Sequence, residues 1–491
     1  MSQEELKPAD SAVMEKAPTG IQGLDEITMG GFPRGRTTLV CGGPGSGKTL
    51  LALEFLIQGA LRYNEPGVFV CFEETADELS MNAASLGFDL ADLRDSKRLF
   101  IDHIYVERSE IEETGEYDLE GLFIRLDQAI RSVGAQRVVL DTIESLFAGL
   151  SNFTILRAEL RRLFRWLKNR GVTAVITGEK SSDSLTKYGL EEYVSDCVIL
   201  LDHRVVNQVA TRRLRVLKFR GSKHGTNEYP FTISDRGFLV LPITSLYLHH
   251  EVFDERISTG IPRLDTMLDG KGYYRGSTVL VTGTAGTGKT TFAAMFADSA
   301  CRLGERCAFF AFEESSHQIV RNLCSIGLDL HPWVESGLLK FYNQRPTEYG
   351  LEHHLISMYK VAEEFKPAVM VIDPLNDLKA VGTLPDVNNM IVRLIDHMKN
   401  SGITLFLTLL TFTGSSQEDV DVGISSLADT WLVLRDMEAK GERRRGIYVL
   451  KSRGMAHSNQ IREFRLTEGG VELLDVDKAA AQGAGRSPES Q

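Results

Sequence analysis

Short apolar runs alternate with longer amphipathic stretches along this chain, and the whole alternation occurs twice. In the first half, residues 37–41, 68–72, 138–140 and 173–177 are built almost entirely from Val, Leu, Ile, Phe, Ala, Thr and Cys. Runs that short and that uniformly apolar predict parallel strands covered on both faces. Residues 51–62 and 156–169 place apolar side chains at helical spacing and predict helices that pack on those strands. Strand alternating with helix predicts a doubly wound α/β domain. The ends read differently. Residues 1–16 and 476–491 are small or polar and predict disordered tails.

The halves also match residue by residue. TGIQGLDEITMGGFPRGRTTLVCGGPGSGKTLLALEF, from Thr19, is answered by TGIPRLDTMLDGKGYYRGSTVLVTGTAGTGKTTFAAMF, from Thr259. FEET from Phe72 is answered by FEES from Phe312, and LKFRG from Leu217 by LKSRG from Leu450. Such a repeat predicts two domains, 17–245 and 246–475, joined within residues 242–255.

GGPGSGKT at residues 42–49 and GTAGTGKT at residues 283–290 fit G-x-x-x-x-G-K-[ST] between a predicted strand and a predicted helix. In that context, Gly45, Ser46, Gly47, Lys48, Thr49 and Leu50, with Ala285, Gly286, Thr287, Gly288, Lys289 and Thr290, are the candidate ATP-phosphate ligands. Backbone N–H groups and the helix N-terminus attract the phosphate oxygens. Lys48 and Lys289 reach the β- and γ-phosphates, and the Thr49 and Thr290 hydroxyls face Mg²⁺. The fold expectation is two tandem RecA-like P-loop NTPase domains, each a doubly wound, mostly parallel sheet.

Asp141 and Asp373 end apolar strands, where a carboxylate serves either Mg²⁺ or a helix cap. Glu73 and Glu74, like Glu313 and Glu314, end the strand after the loop helix. They read as a catalytic base with a repelling neighbour, or as a solvated acidic strand end. Lys218 and Arg220, like Lys451 and Arg453, alternate along a strand and read as cations offered to a neighbour's nucleotide, or as a basic strand edge.

Composition narrows the classes. A formal net charge of −12 does not suit a nucleic-acid glove. No apolar run spans a bilayer, and no apolar stretch of signal-peptide length opens the chain, so a cytoplasmic protein is expected. The six cysteines form no C-x-x-C pair and read as reduced core thiols.

The stretches EPGVFVCFEET, LKFRGSKHGTNEYPFTISDRG, FAFEESSHQIVRN, GISSLADTWLVL and LKSRGMAHSNQIREF resemble the KaiC family of bacterial clock ATPases and autokinases, over about residues 17–474. The resemblance implies a two-tiered homohexamer with ATP at subunit interfaces, hydrolysis in the first tier and autophosphorylation in the second. It places Ser85, Lys218, Phe219, Arg220, Ser222, His224, Ser234 and Asp235 at nucleotide in the first copy, the later ones from the adjacent subunit. In the second copy it places Arg445, Lys451 and Arg453 there, makes Glu313 the kinase base, and makes Ser425 and Ser426 the phosphoacceptors. Opposite those serines the first copy has Glu192 and Tyr193.

Two departures stand out from the clock pattern. Val420 occupies the place of a third hydroxyl, and a short Ala/Gly tail replaces the partner-docking segment after Leu474. They set a timing or stress-signalling switch, with a KaiB-like or other signalling protein as partner, beside a daily oscillator. The rival expectations are a RecA- or DnaB-like nucleic-acid motor and an ATP-sensing scaffold without kinase activity. Neither is favoured, because no paired basic-aromatic loop is evident and both loops and both glutamate pairs are intact.

Overall fold

The computed structural model describes residues 14–85, 87–104, 119–146, 153–181, 195–206, 209–234, 237–242, 253–411, 426–439 and 442–474. Its contacts divide the chain into two units, Met1–Ser245 and Leu246–Gln491. The sheet of the first unit contains β1 (Thr37–Gly42), β2 (Gly67–Cys71), β3 (Leu99–His103), β4 (Arg137–Asp141), β5 (Thr173–Glu179), β6 (Cys197–Val206), β7 (Val209–Phe219), β8 (Glu228–Ser234) and β9 (Gly237–Val240). Their order across the sheet is β9-β8-β7-β6-β1-β5-β4-β2-β3. The six strands from β6 to β3 are parallel, and β7, β8 and β9 continue the sheet antiparallel.

The second unit repeats this arrangement. Its strands are β10 (Thr278–Gly283), β11 (Cys307–Ala311), β12 (Leu339–Asn343), β13 (Val369–Asp373), β14 (Thr404–Leu410), β15 (Thr430–Ala439), β16 (Glu442–Ser452), β17 (Arg462–Thr467) and β18 (Gly470–Leu473). They lie in the order β12-β11-β13-β14-β10-β15-β16-β17-β18, which is the same path through the corresponding strands. The fold is two tandem RecA-like α/β domains.

Burial explains why the strands read as unbroken apolar runs. In the first unit, Val40, Phe69 and Val139 pack with helix α1 (Lys48–Arg62). Their neighbours Leu39, Val68 and Leu140 pack on the other face with α3 (Glu120–Val133) and α4 (Phe153–Asn169). Successive side chains on a strand point to opposite faces, so a sheet covered on both needs apolar residues at every position.

Two expectations change. The N-terminal tail does not extend to residue 16. Lys16–Ala17 pairs with Phe32–Pro33, and the Lys16 ammonium lies 3.4 Å from the centre of the Phe219 ring. Residues 1–13 and 475–491 lie outside the described residues. Five cysteines are buried as expected, but Cys324 is exposed.

A carboxylate is buried in α1. Glu54 is 3% exposed, and its Oε2 accepts the Phe238 N–H at 2.7 Å. Burial raises its pKa from 4.5 to about 7. The folded state therefore favours the neutral acid, and that stabilisation is lost as pH rises from the unfolded value through the folded one. Glu54→Gln stays neutral and can still accept the Phe238 N–H. Calorimetry is expected to show the variant unfolding at higher temperature than the wild type at pH 8, by up to about 3 kcal/mol of stability, with much less difference at pH 5.

Candidate active site

Each phosphate loop is shaped by a glycine at the entrance to its helix. Gly47 (φ 95°) precedes α1, and Gly288 (φ 97°) precedes α5 (Lys289–Arg302). These left-handed values favour glycine. A Cβ built at Gly43, Gly45 or Gly286 would meet nothing within 4 Å. The loops thus leave open the space that phosphate oxygens need. Lys48 Nζ donates to the Gly42 and Gly43 carbonyls, both at 3.0 Å. Lys289 Nζ does the same to Gly283 at 3.0 Å and Thr284 at 2.9 Å. Burial pulls the Lys289 pKa down, while the Asp373 and Glu313 carboxylates push it back up.

Strand ends bring the expected metal ligands together. Thr49 Oγ1 donates to Asp141 at 2.9 Å, and Thr290 Oγ1 donates to Asp373 at 2.8 Å. The other oxygen of each aspartate accepts a hydroxyl from the neighbouring strand, Thr177 or Thr408. Burial raises the pKa of both carboxylates, against the pull of these hydroxyls and of the loop lysine. A buried carboxylate beside a loop hydroxyl is a donor set that fits Mg²⁺. Ser46 and Thr287 are buried within the loops, and Leu50 is buried just after the first.

The glutamate pairs divide in the same way in both units. Glu74 accepts from Asn82 on α2 (Ala76–Ser85), and Glu314 from Asn322 on α6 (Ser316–Cys324), each at 3.4 Å. The first members, Glu73 and Glu313, have different surroundings. Glu73 Oε1 accepts from Thr142 at 2.9 Å and from Ser145 at 2.7 Å. Pro374 and Asp377 fill the corresponding positions after Asp373. Proline offers no donor and the aspartate adds like charge. Partial burial raises the Glu313 pKa and Asp377 raises it further, while Lys289 and Arg345 oppose them. Sequence reading missed Thr142, Ser145, Pro374 and Asp377, although aligning the residues after Asp141 and Asp373 in the repeat exposes the contrast.

The cationic positions are held by backbone bonds rather than by strand pleating alone. Lys218 and Lys451 lie in β7 and β16, but Arg220 and Arg453 fall just beyond them in turns. The Arg220 N–H donates to the Asp196 carbonyl at 2.9 Å, and the Arg453 N–H to that of Asp429 at 2.8 Å. Arg453 Nη2 also donates to the Ser426 carbonyl at 2.6 Å, with Lys451 Nζ at 3.4 Å from the same oxygen. Arg445 lines a cavity of about 640 Å³ with Arg443, Arg444 and Arg465, and the cavity reaches Ala285 and Gly286 of its own chain's loop.

Phe219, Ser222 and His224 come together around Lys16, which sequence reading assigned to the tail. Lys16 Nζ donates to Ser222 Oγ at 2.8 Å, and the Phe219 and His224 rings stack with centroids 6.2 Å apart. Burial lowers the Lys16 pKa to about 8. Ser85 ends α2 and donates to the Asn82 carbonyl at 2.7 Å. Ser234 ends β8 at the surface. Asp235, Ser425, Glu192, Tyr193 and Val420 lie outside the described residues, as does the Ala/Gly tail.

Known proteins resemble this chain over most of its length. The family described as "ATPase: KaiC" matches residues 17–245 and 257–478. A circadian clock protein KaiC2 from Synechocystis sp. is 58% identical over 95% of this chain and 83% of its own length. A circadian clock oscillator protein KaiC from Parathermosynechococcus lividus is 38% identical over 94% of this chain and 85% of its own. The corresponding Synechococcus elongatus protein is 37% identical over 95% and 90%. Among the described residues, no helix is long and apolar enough to cross a membrane. The repeated domain, its two phosphate loops and these matches make the chain a member of the KaiC family of ATPases.

Proposed function

We propose that the two units of this ATP-hydrolysing enzyme divide phosphoryl chemistry between them. The first transfers the γ-phosphoryl group of ATP to water. The second transfers it to Ser425, Ser426 or both, in a homohexamer with nucleotide at the subunit interfaces. The observation that carries this reading is the different setting of Glu73 and Glu313. Two hydroxyl donors, Thr142 and Ser145, hold the Glu73 side chain in place. At Glu313 the corresponding positions are Pro374 and Asp377, and partial burial, with the Asp377 carboxylate adding to it, raises its pKa.

In the proposed transfer, a serine Oγ bonds to the γ-phosphorus as the bond to the β,γ-bridging oxygen breaks. Glu313 takes the hydroxyl proton, and ADP leaves. Lys48 and Lys289 hold the phosphates in their respective units. Thr49 with Asp141, and Thr290 with Asp373, would hold Mg²⁺, which would supply charge neutralisation at the phosphates. Bonding of the Ser426 carbonyl to Lys451 and Arg453 supports a common face for acceptor and cations. Such a face can present both to the nucleotide of a neighbouring protomer.

Each added phosphate brings about −1.5 to −2 charges. Beside Asp429, that charge either engages a cation or loosens the subunit seam. This supports a phosphorylation-set timing or signalling switch, with a KaiB-like or other signalling protein reading its state; the relatives' names are those of circadian clock proteins. Intact mass and phosphopeptide mapping after incubation with Mg²⁺ and ATP test the proposal. Phosphate is expected on the peptide carrying Ser425 and Ser426. Unmodified protein that still hydrolyses ATP would limit the chain to an ATPase.

A further inference from the structure

A second group of metal-ligating side chains lies in the second unit, outside its phosphate loop and the Asp373 strand end. We propose that Cys324, Asp329 and His331 bind a borderline-soft divalent cation of the zinc class. Cys324 Sγ lies 3.6 Å from Asp329 Oδ1 and 3.8 Å from His331 Nδ1, and those two atoms are 2.8 Å apart. Tetrahedral zinc with ordinary bond lengths separates sulfur from nitrogen or oxygen by about 3.5–3.6 Å, and nitrogen from oxygen by about 3.3 Å. The thiol already stands close to the required distances, and closure around the ion needs only a small parting of the imidazole from the carboxylate.

The supporting backbone is fixed. Cys324 is the last residue of α6, whose Ile319, Val320 and Leu323 are buried. Leu328 and Leu330, on either side of Asp329, enter the same core. Gly327 makes the intervening turn at φ +74°, where a Cβ would strike the Glu468 carbonyl. The His331 N–H donates to Asp329 Oδ1 at 3.0 Å and orients the carboxylate. An Asp–His pair can cap the following turn by itself, but that role needs no thiol. Cys324 is also the exposed member of a set of six cysteines whose other five are buried.

The donor set selects the ion. Mg²⁺ and Ca²⁺ favour all-oxygen coordination, whereas thiolate with imidazole and one carboxylate suits zinc. Thiolate and carboxylate together balance the charge of a divalent cation. Three protein ligands leave a fourth position facing solvent, for water or a partner's side chain. Binding releases the thiol proton, because the thiolate is the ligand.

Cobalt titration of the chelator-treated, nucleotide-free full chain tests the site, because cobalt substitutes for zinc and reports its ligands. A thiolate-to-cobalt charge-transfer band is expected, displaced by zinc. Cys324→Ser should abolish it, and His331→Ala should weaken binding at least about 10-fold. Zinc should also shield Cys324 from alkylation in the wild type but not in His331→Ala, with unchanged circular dichroism. Cobalt uptake without a thiolate band, a band that survives Cys324→Ser, or alkylation indifferent to zinc would overturn the proposal.

Discussion

Glu313→Gln is expected to reduce phosphorylation of the second unit by about 10²–10⁴-fold while nucleotide remains bound. Glutamine keeps the size and shape of glutamate but cannot take the serine proton. Lys289, Thr290 and Asp373 are untouched, so the proposed phosphate and metal ligands keep their positions. A pH profile separates a base from a residue that merely supports the loop. The wild-type rate should fall as pH drops through the raised Glu313 pKa. Asp377→Asn removes a like charge that raises that pKa, so its fall should lie at lower pH. Single-turnover label from γ-labelled ATP, quantified across pH, provides the readout. An unchanged profile in Asp377→Asn would contradict the role given to that carboxylate.

The second large effect is expected in the first unit. Glu73→Gln, measured in a Lys289→Ala background that silences the second unit, should lower ATP turnover by about 10²–10⁴-fold. Nucleotide binding should persist, because Lys48, Thr49 and Asp141 keep their partners. Glu73 adjoins Thr142 and Ser145 at the end of the Asp141 strand, whereas Glu74 meets Asn82 on the helix. Glu74→Gln is therefore expected to have the smaller effect. Steady-state ADP release with parallel nucleotide-binding measurements checks both. Wild-type turnover in Glu73→Gln would remove it as the hydrolytic base.

The sequence made much of this architecture legible. The buried strands announce themselves because both sheet faces are covered, as Leu39 and Val40 show by packing on opposite sides. The phosphate loops are readable because their geometry needs glycine at fixed positions. Asp141 and Asp373 are readable because each ends such a strand. Long-range partners were harder to see. Lys16 belongs to no apolar period, yet it reaches Ser222. Thr177 and Thr408 look like ordinary strand residues until parallel pairing brings them to the aspartates. Alternation suggested a shared strand face for Lys451 and Arg453. It could not show that Arg453 leaves the strand and turns to the Ser426 carbonyl. The contrast between Thr142 and Pro374 is visible in the repeat, but its meaning depends on where Glu73 and Glu313 fold.

The most direct test of the proposed division of labour is a paired measurement on protein incubated with Mg²⁺ and γ-labelled ATP. Phosphoserine and first-unit ADP release are followed together in wild type, Glu73→Gln, Glu313→Gln and Ser425→Ala/Ser426→Ala. The account predicts that Glu313→Gln and the double alanine variant lose the label but retain ADP release. It predicts that Glu73→Gln loses ADP release but retains the label. Label that persists in the double alanine variant, or two activities that fall together in both glutamine variants, would contradict it.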